Sequence, residues 1–160
     1  MKFRFYQLYY VLAAVLLIVA MCSNLLYILA PDGATYTLGN FSLIKPDGSA
    51  SYSVVALGVV LIVAVAVNLF GLFVSLFNNF ELQKRSSILS VLLLTGYHIL
   101  LLLYVLLVIN SDDNLATINF AEAAVMFPFT AIVLNVLSFL SARRAEAKII
   151  AKASGFRLRD

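Results

Sequence analysis

Four long apolar runs alternate with short polar stretches along the chain. Residues 6–29 contain only Gln7, Ser23 and Asn24 as clearly polar positions. At 1.5 Å per residue, about 20 apolar residues suffice to cross the hydrocarbon of a bilayer, so this run predicts a first transmembrane helix. Residues 53–77, 86–109 and 120–141 repeat the pattern and predict three more. In the second, Ala64, Asn68 and Gly71 recur at spacings of four and three, which sets small residues and one amide on a single face. Such stripes are the usual material of helix contacts in lipid. Pro128, inside the fourth run, predicts a kink because it removes a backbone donor and crowds the preceding turn.

The connections read differently. Pro31-Asp32-Gly33 and Pro46-Asp47-Gly48 both carry turn chemistry. Between them, Thr35-Tyr36-Thr37-Leu38 and Phe41-Ser42-Leu43-Ile44 favour strands, and Gly39-Asn40 suits a two-residue turn. The pattern predicts a small β-hairpin, which alone is marginal and needs helix ends or a partner beneath it. Residues 78–85 are long enough only for a tight turn between antiparallel helices, and residues 110–119 form a loop holding Asp112 and Asp113. The fold class expected is an all-α integral membrane protein: a four-transmembrane-helix antiparallel bundle with a small outer-face hairpin between helices one and two, followed by a basic tail over residues 142–160.

Composition sharpens this. Across 160 residues, 63% are hydrophobic and 12% charged, against about 25% charged in soluble domains. The net charge of +3 does not point to nucleic acid, because the basic residues cluster at the ends of apolar runs rather than on a folded basic face. Of the eleven Lys and Arg residues, only Lys45 falls on the hairpin side of the predicted spans. Basic residues are retained on the cytoplasmic side, so both termini are expected there, and the protein is expected to be multi-pass. Lys2 and Arg4 before an apolar core resemble a signal peptide, and Val19-Ala20-Met21-Cys22 resembles a lipoprotein cleavage site. Met21 is too large for that position and the apolar run continues to Ala30, so an uncleaved helix is expected. Cys22 is the only cysteine, which excludes an intramolecular disulfide; within an apolar run it is expected to serve as a small packing residue. Beyond the last span, Arg143, Arg144, Lys148 and Lys152 are expected to contact anionic lipid head groups, with Ile149 and Ile150 entering lipid if the segment lies along the surface.

Three motifs carry a family resemblance: Leu76-Phe77-Asn78-Asn79-Phe80-Glu81-Leu82-Gln83-Lys84-Arg85, Leu134-Asn135 with Ala142-Arg143-Arg144-Ala145, and the closing Phe156-Arg157-Leu158-Arg159. With the opening Tyr6-Gln7-Leu8-Tyr9-Tyr10, they make the chain similar to a family of small four-helix bacterial inner-membrane proteins classed as a domain of unknown function. Ile149 and Ile150 interrupt the regularly charged tail of that family. The resemblance implies four helices and a bacterial cytoplasmic membrane, and it brings no catalytic residues.

Candidate chemistry is sparse. His98 is the one ionisable group predicted deep in the bundle, where charge is costly. A neutral imidazole hydrogen-bonded to a neighbour accounts for it most simply. With Tyr97, Asn68 and Asn135 it forms a candidate intramembrane polar cluster, the two asparagines being placed at similar depth and available to each other or to backbone. Glu122 stands near the mouth of the fourth helix, where helix-dipole stabilisation explains it. Asn40-Phe41-Ser42 matches the glycosylation pattern. No cofactor, metal site or catalytic residue is expected. The leading expectation is a non-enzymatic accessory, scaffold or assembly component whose partners are the bilayer and a membrane protein or second copy. The alternative is a quinone- or lipid-binding protein or small transporter using the polar cluster, with a cavity beside His98.

Overall fold

A computed structural model describes residues 5–29, 34–45, 47–77, 79–111, 117–120 and 122–153. The expected turn at Pro31-Asp32-Gly33, the Asp112-Asp113 pair, the chain from residue 154 onward and the side chain of Glu122 lie outside the described residues. The fold is mainly helical: α1 (Phe5–Met21), α2 (Val55–Leu76), α3 (Phe80–Ser111) and α4 (Glu122–Ala153). Each helix packs on its two neighbours, α1 on α2, α2 on α3, α3 on α4 and α4 back on α1.

Periodicity explains which faces meet. On α2 the inward positions are Leu57, Leu61, Ala64, Asn68 and Gly71, so the small-residue stripe is buried as expected. On α4 they are Ala124, Ala131, Asn135, Ser138 and Ala142. The outward positions are large and apolar: Phe73 is 57% exposed, Leu92 64% and Leu107 63%. Large apolar side chains thus cover the outside as well as the core, and several polar side chains, Asn68, Asn135 and Ser138 among them, are enclosed, unlike a water-soluble bundle. Val55–Leu76, Phe80–Leu107 and Ala124–Lys152 are long and apolar enough to cross a membrane, whereas the apolar stretch Tyr6–Met21 is shorter.

Helix boundaries depart from expectation at three places. The first helix ends at Met21 instead of continuing to residue 29, because Leu26–Leu29 forms strand β1. Helix α3 starts at Phe80 instead of 86: Asn79 caps it, its Oδ1 accepting from Leu82 N at 3.2 Å. Helix α4 runs through Arg143-Arg144 to Ala153, past residue 141, where the fourth span was expected to end. Lys84 Nζ donates to Glu146 Oε2 at 2.9 Å, fastening that extension to the first turns of α3.

The expected hairpin is part of a larger sheet. Strands β1, β2 (Thr35–Leu38), β3 (Ser42–Ile44), β4 (Ala50–Ser53) and β5 (Thr117–Phe120) pair antiparallel in the order β4-β3-β2-β1-β5. Four strands come from the α1–α2 connection and the fifth from the α3–α4 connection, where only a loop was expected. Leu26, Ile28, Leu38 and Leu43 turn inward and join the helical core through Leu57, Leu61, Tyr97 and Leu101. The sheet therefore closes one end of the bundle. The pairing of Leu38 with Leu43, and Gly39 N donating to Ser42 O at 3.0 Å, set Asn40-Phe41 at the tip of the β2–β3 turn rather than Gly39-Asn40.

The β3–β4 turn follows its sequence closely. Gly48 N donates to Lys45 O and Lys45 N to Ser49 O, both at 2.9 Å, and Gly48 takes a φ of 81°. That left-handed residue is what a short hairpin connection of this kind demands. Asp47 Oδ1 accepts from Ser49 Oγ at 2.7 Å and from Ser49 N at 2.8 Å. These bonds hold its carboxyl below the usual carboxylate range.

Candidate functional site

Asn40 is the hub of the sheet end. Its side chain is 2% exposed. Nδ2 donates to Ala20 O at 2.8 Å and reaches the carbonyls of Met21 and Ser23 at 3.4 Å, satisfying the last turn of α1. Oδ1 accepts from Tyr97 Oη at 2.8 Å, which ties in α3. The backbone of the same turn serves α2: Phe41 O accepts from Val54 N at 3.1 Å and Asn40 O from Gly58 N at 2.9 Å. One tight turn thus fastens three helices to the sheet. The amide nitrogen is enclosed and donating, so the Asn40-Phe41-Ser42 pattern is not open to glycosylation in the folded chain.

At the opposite end a second polar layer crosses the bundle. Tyr10 Oη donates to Gln83 O at 2.8 Å and lies 2.6 Å from Ser87 Oγ, spanning the diagonal from α1 to α3. Tyr10 has one hydroxyl hydrogen and Gln83 O takes it, so Ser87 donates to the tyrosine oxygen. Ser86 Oγ donates to Val67 O at 2.9 Å, and Ser138 Oγ to Tyr6 O at 3.3 Å. Gly71 makes room: a Cβ there would come within 2.6 Å of the Tyr10 ring and 2.8 Å of Ser86 Oγ.

The four residues of the predicted cluster separate into different environments. Tyr97 is fully buried and belongs to the Asn40 hub. His98 is half-buried at the α3–α4 edge, its ring edge-on to Phe129 at 6.2 Å, with Nδ1 2.8 Å from Leu94 O of its own helix. Asn68 Nδ2 donates to Ala64 O and Ser90 Oγ, both at 2.8 Å, while Asn135 Nδ2 donates to Ala131 O at 2.9 Å. The two amide groups find these partners rather than each other. Asn68 Oδ1, Asn135 Oδ1, His98 Nε2 and both polar atoms of the Gln83 side chain are buried with no hydrogen-bond partner among the described residues. Among the described residues, no three His, Cys, Asp or Glu side chains gather as a metal site would require.

A groove of about 180 Å³ opens between α3 and α4, with walls of Ile88, Val91, Leu92, Val136 and Phe139 and with Ser87 and Asn135 also lining it. His98, beside which the small-molecule alternative expects a cavity, is not among the residues that line this groove. Arg143, Arg144, Lys148 and Lys152 are all exposed on the α4 extension, as are Ile149 and Ile150. Cys22 is exposed just past α1, where a packing role was expected; the polar Ser23-Asn24 step follows it as the chain leaves the helix.

Sequence reasoning missed Asn40 as a structural hub, Ser87 and Gln83 as members of the second polar layer, and Ser90 as the partner of Asn68. The spacing Gln83, Ser87, Ser90 on one face of a helix was the available signal.

No curated protein matches the chain. Residues 4–150 match the family described as Domain of unknown function (DUF4293), and the chain belongs to that family.

Proposed function

We propose that the protein is a non-enzymatic accessory or assembly component of a bacterial cytoplasmic membrane, anchored by its bundle and presenting its sheet on the outer face to a membrane-protein partner or a second copy. The observation that carries this reading is the fastening of the sheet to three helices through Asn40, which makes it a stiff platform rather than a loose connector. Its outer row pairs Ile44 with Thr37 and Thr37 with Tyr27, and Ile44, Tyr27 and Leu29 are each about two-fifths exposed. A rigid, partly apolar surface of that kind suits a protein contact. Exposed Arg143, Arg144, Lys148 and Lys152 suit anionic head groups on the cytoplasmic side, at about 1 kcal/mol per basic residue near the surface.

Photocrosslinking from position 27 in intact membranes tests the platform. A discrete protein adduct is expected, abolished by Ile44→Glu without a change in bundle stability. Adducts to lipid alone would rule the accessory reading out.

Orientation has its own test in the exposed Cys22. An impermeant thiol reagent applied to intact spheroplasts should label wild-type Cys22. In a Cys22→Ser background it should fail to label Lys152→Cys until the membrane is opened. Labelling of Lys152→Cys in sealed spheroplasts would reverse the topology.

A further inference from the structure

We propose that the groove between α3 and α4 holds one acyl chain of an anionic phospholipid whose phosphate is received by Arg85 and Arg143. This rests on the reading that the bundle spans a membrane. The surface that the groove presents is wholly apolar, which suits a hydrocarbon chain and offers nothing to a polar head. Its walls run from Ser87 to Leu92 on α3 and from Asn135 to Phe139 on α4, about 6–8 Å along the helices and too short to seat a partner helix. An apolar cavity of about 150 Å³ admits benzene, so a groove of about 180 Å³ takes a run of several methylene groups. Leu92 and Val136, both exposed, form the rim by which the chain enters.

Helical spacing sets the place of the head group. Arg85 stands three and seven residues before Ile88 and Leu92, and Arg143 four and seven residues after Phe139 and Val136, so each continues one lip of the groove. Seven residues put both about 10 Å along the helices from the rim, on the side where α3 begins. Between α3 and α4 at that level Lys84 Nζ meets Glu146 Oε2 at 2.9 Å, which closes the seam and keeps a phosphate on the outside of the bundle. The Arg143 guanidinium is exposed and has no ion pair or hydrogen bond among the described residues. Arg85 is exposed too, and its Nε and Nη2 meet Glu81 Oε1 at 3.2 and 3.1 Å, leaving Nη1 unused. An exposed pair of that kind is weak and yields to a phosphate. Both nearby carboxylates, Glu81 and Glu146, are already engaged by Lys84 and Arg85, so the charge of Arg143 stands uncompensated. Guanidinium groups bind phosphate oxygens through paired N–H donors, and an anionic lipid supplies the charge that a zwitterionic one cancels.

The test uses the full chain in phosphatidylcholine nanodiscs with a trace of phosphatidylglycerol bearing a diazirine on one acyl chain, and mass spectrometry maps the labelled positions. A bundle that spans the membrane is labelled at outward Phe73 and Leu107 whatever the head group, and no label there would defeat the membrane reading itself. The proposal requires more: a saturable component at the groove walls. Measured against Phe73 and Leu107, a phosphatidylcholine probe with the same chains should label those walls about tenfold less. Arg143→Gln should lower the anionic preference about fivefold, whereas Arg144→Gln, off the line of the groove, should leave it unchanged. Val136→Trp, at the exposed rim, should remove the groove component and leave Phe73 and Leu107 labelled, which shows the variant folded. Equal labelling of the walls by the two probes would overturn the proposal, as would groove labelling indifferent to Val136→Trp. A preference that falls as much with Arg144→Gln as with Arg143→Gln would reduce it to diffuse attraction by the basic end of α4 and overturn the site. Disulfide-linked dimers of Leu92→Cys in a Cys22→Ser chain would give the groove to a second copy, with the same result.

Discussion

Asn40→Ala should cost about 2–4 kcal/mol of stability in detergent, because it strands the buried Tyr97 hydroxyl and removes the amide donor shared by the carbonyls of Ala20, Met21 and Ser23, of which Ala20 O keeps its bond from Ser23 N. Each buried polar group left unmade costs about 1–3 kcal/mol, and the substitution strands groups on two helices at once. Tyr97→Phe should cost less, about 1 kcal/mol, since it leaves only the Asn40 oxygen short of a donor while the amide still holds α1. The pair should be coupled: the double variant should lose at least about 0.5 kcal/mol less than the sum of the single losses. Chemical or steric-trap unfolding of the four proteins measures this, and strict additivity would show that the hub does not work through the Asn40–Tyr97 bond.

Gly71→Ala should be destabilising where Gly58→Ala is close to neutral, although both glycines sit in α2 beneath an aromatic ring. Alanine gains about 0.5–1 kcal/mol over glycine in a helix interior, so the outcome depends on whether the ring can yield. Over Gly58 it can, because Phe41 is 41% exposed and is free to turn outward. Over Gly71 it cannot, because Tyr10 is 1% exposed and its hydroxyl is bonded to Gln83 O and Ser87. Overpacking of a fixed site costs about 1–3 kcal/mol, which outweighs the propensity gain. Thermal unfolding in a single detergent compares the two. A second comparison isolates the cause: Gly71→Ala combined with Tyr10→Leu should lose less than the sum of the separate losses. Equal effects at positions 58 and 71 would refute the account.

The chain disclosed its helices better than its sheet. Residues 53–77 were legible because an apolar run of that length with small residues at helical spacing has few other uses, and α2 occupies Val55–Leu76. Leu26–Leu29 was not legible as a strand. Its inward residues, Leu26 and Ile28, and its outward residues, Tyr27 and Leu29, are all apolar, so the period of two that betrays a half-buried strand is absent. The one local warning was Ser23-Asn24, polar positions that follow the point where α1 stops. Strand β5 had β-prone Thr117-Ile118-Asn119-Phe120, but what makes it a strand is pairing with β1, and that pairing leaves no mark in its own four residues.

The candidate site was legible as residue types and not as contacts. Asn68, Tyr97 and Asn135 were recognisable because amides and a hydroxyl are costly in an apolar run, and all three are buried. Their partners were not recognisable, since Tyr97 reaches back to Asn40, a residue that local turn chemistry already explains. The groove beside Asn135 is likewise made jointly by side chains of α3 and α4, which no single run encodes.

Strand β1 has neighbours from opposite halves of the chain, β2 from the segment just after it and β5 from the far side of α2 and α3. During synthesis, β1 to β4 emerge together and can pair, but the free edge of β1 must wait until two more helices have been made and β5 arrives. An open edge with apolar side chains on both faces is a template for pairing with any extended segment nearby. The half-made protein is thus exposed to mispairing in a way the finished one is not. A second chain at the same stage could exchange its own β5 into the gap, joining two copies by the same hydrogen bonds that close one.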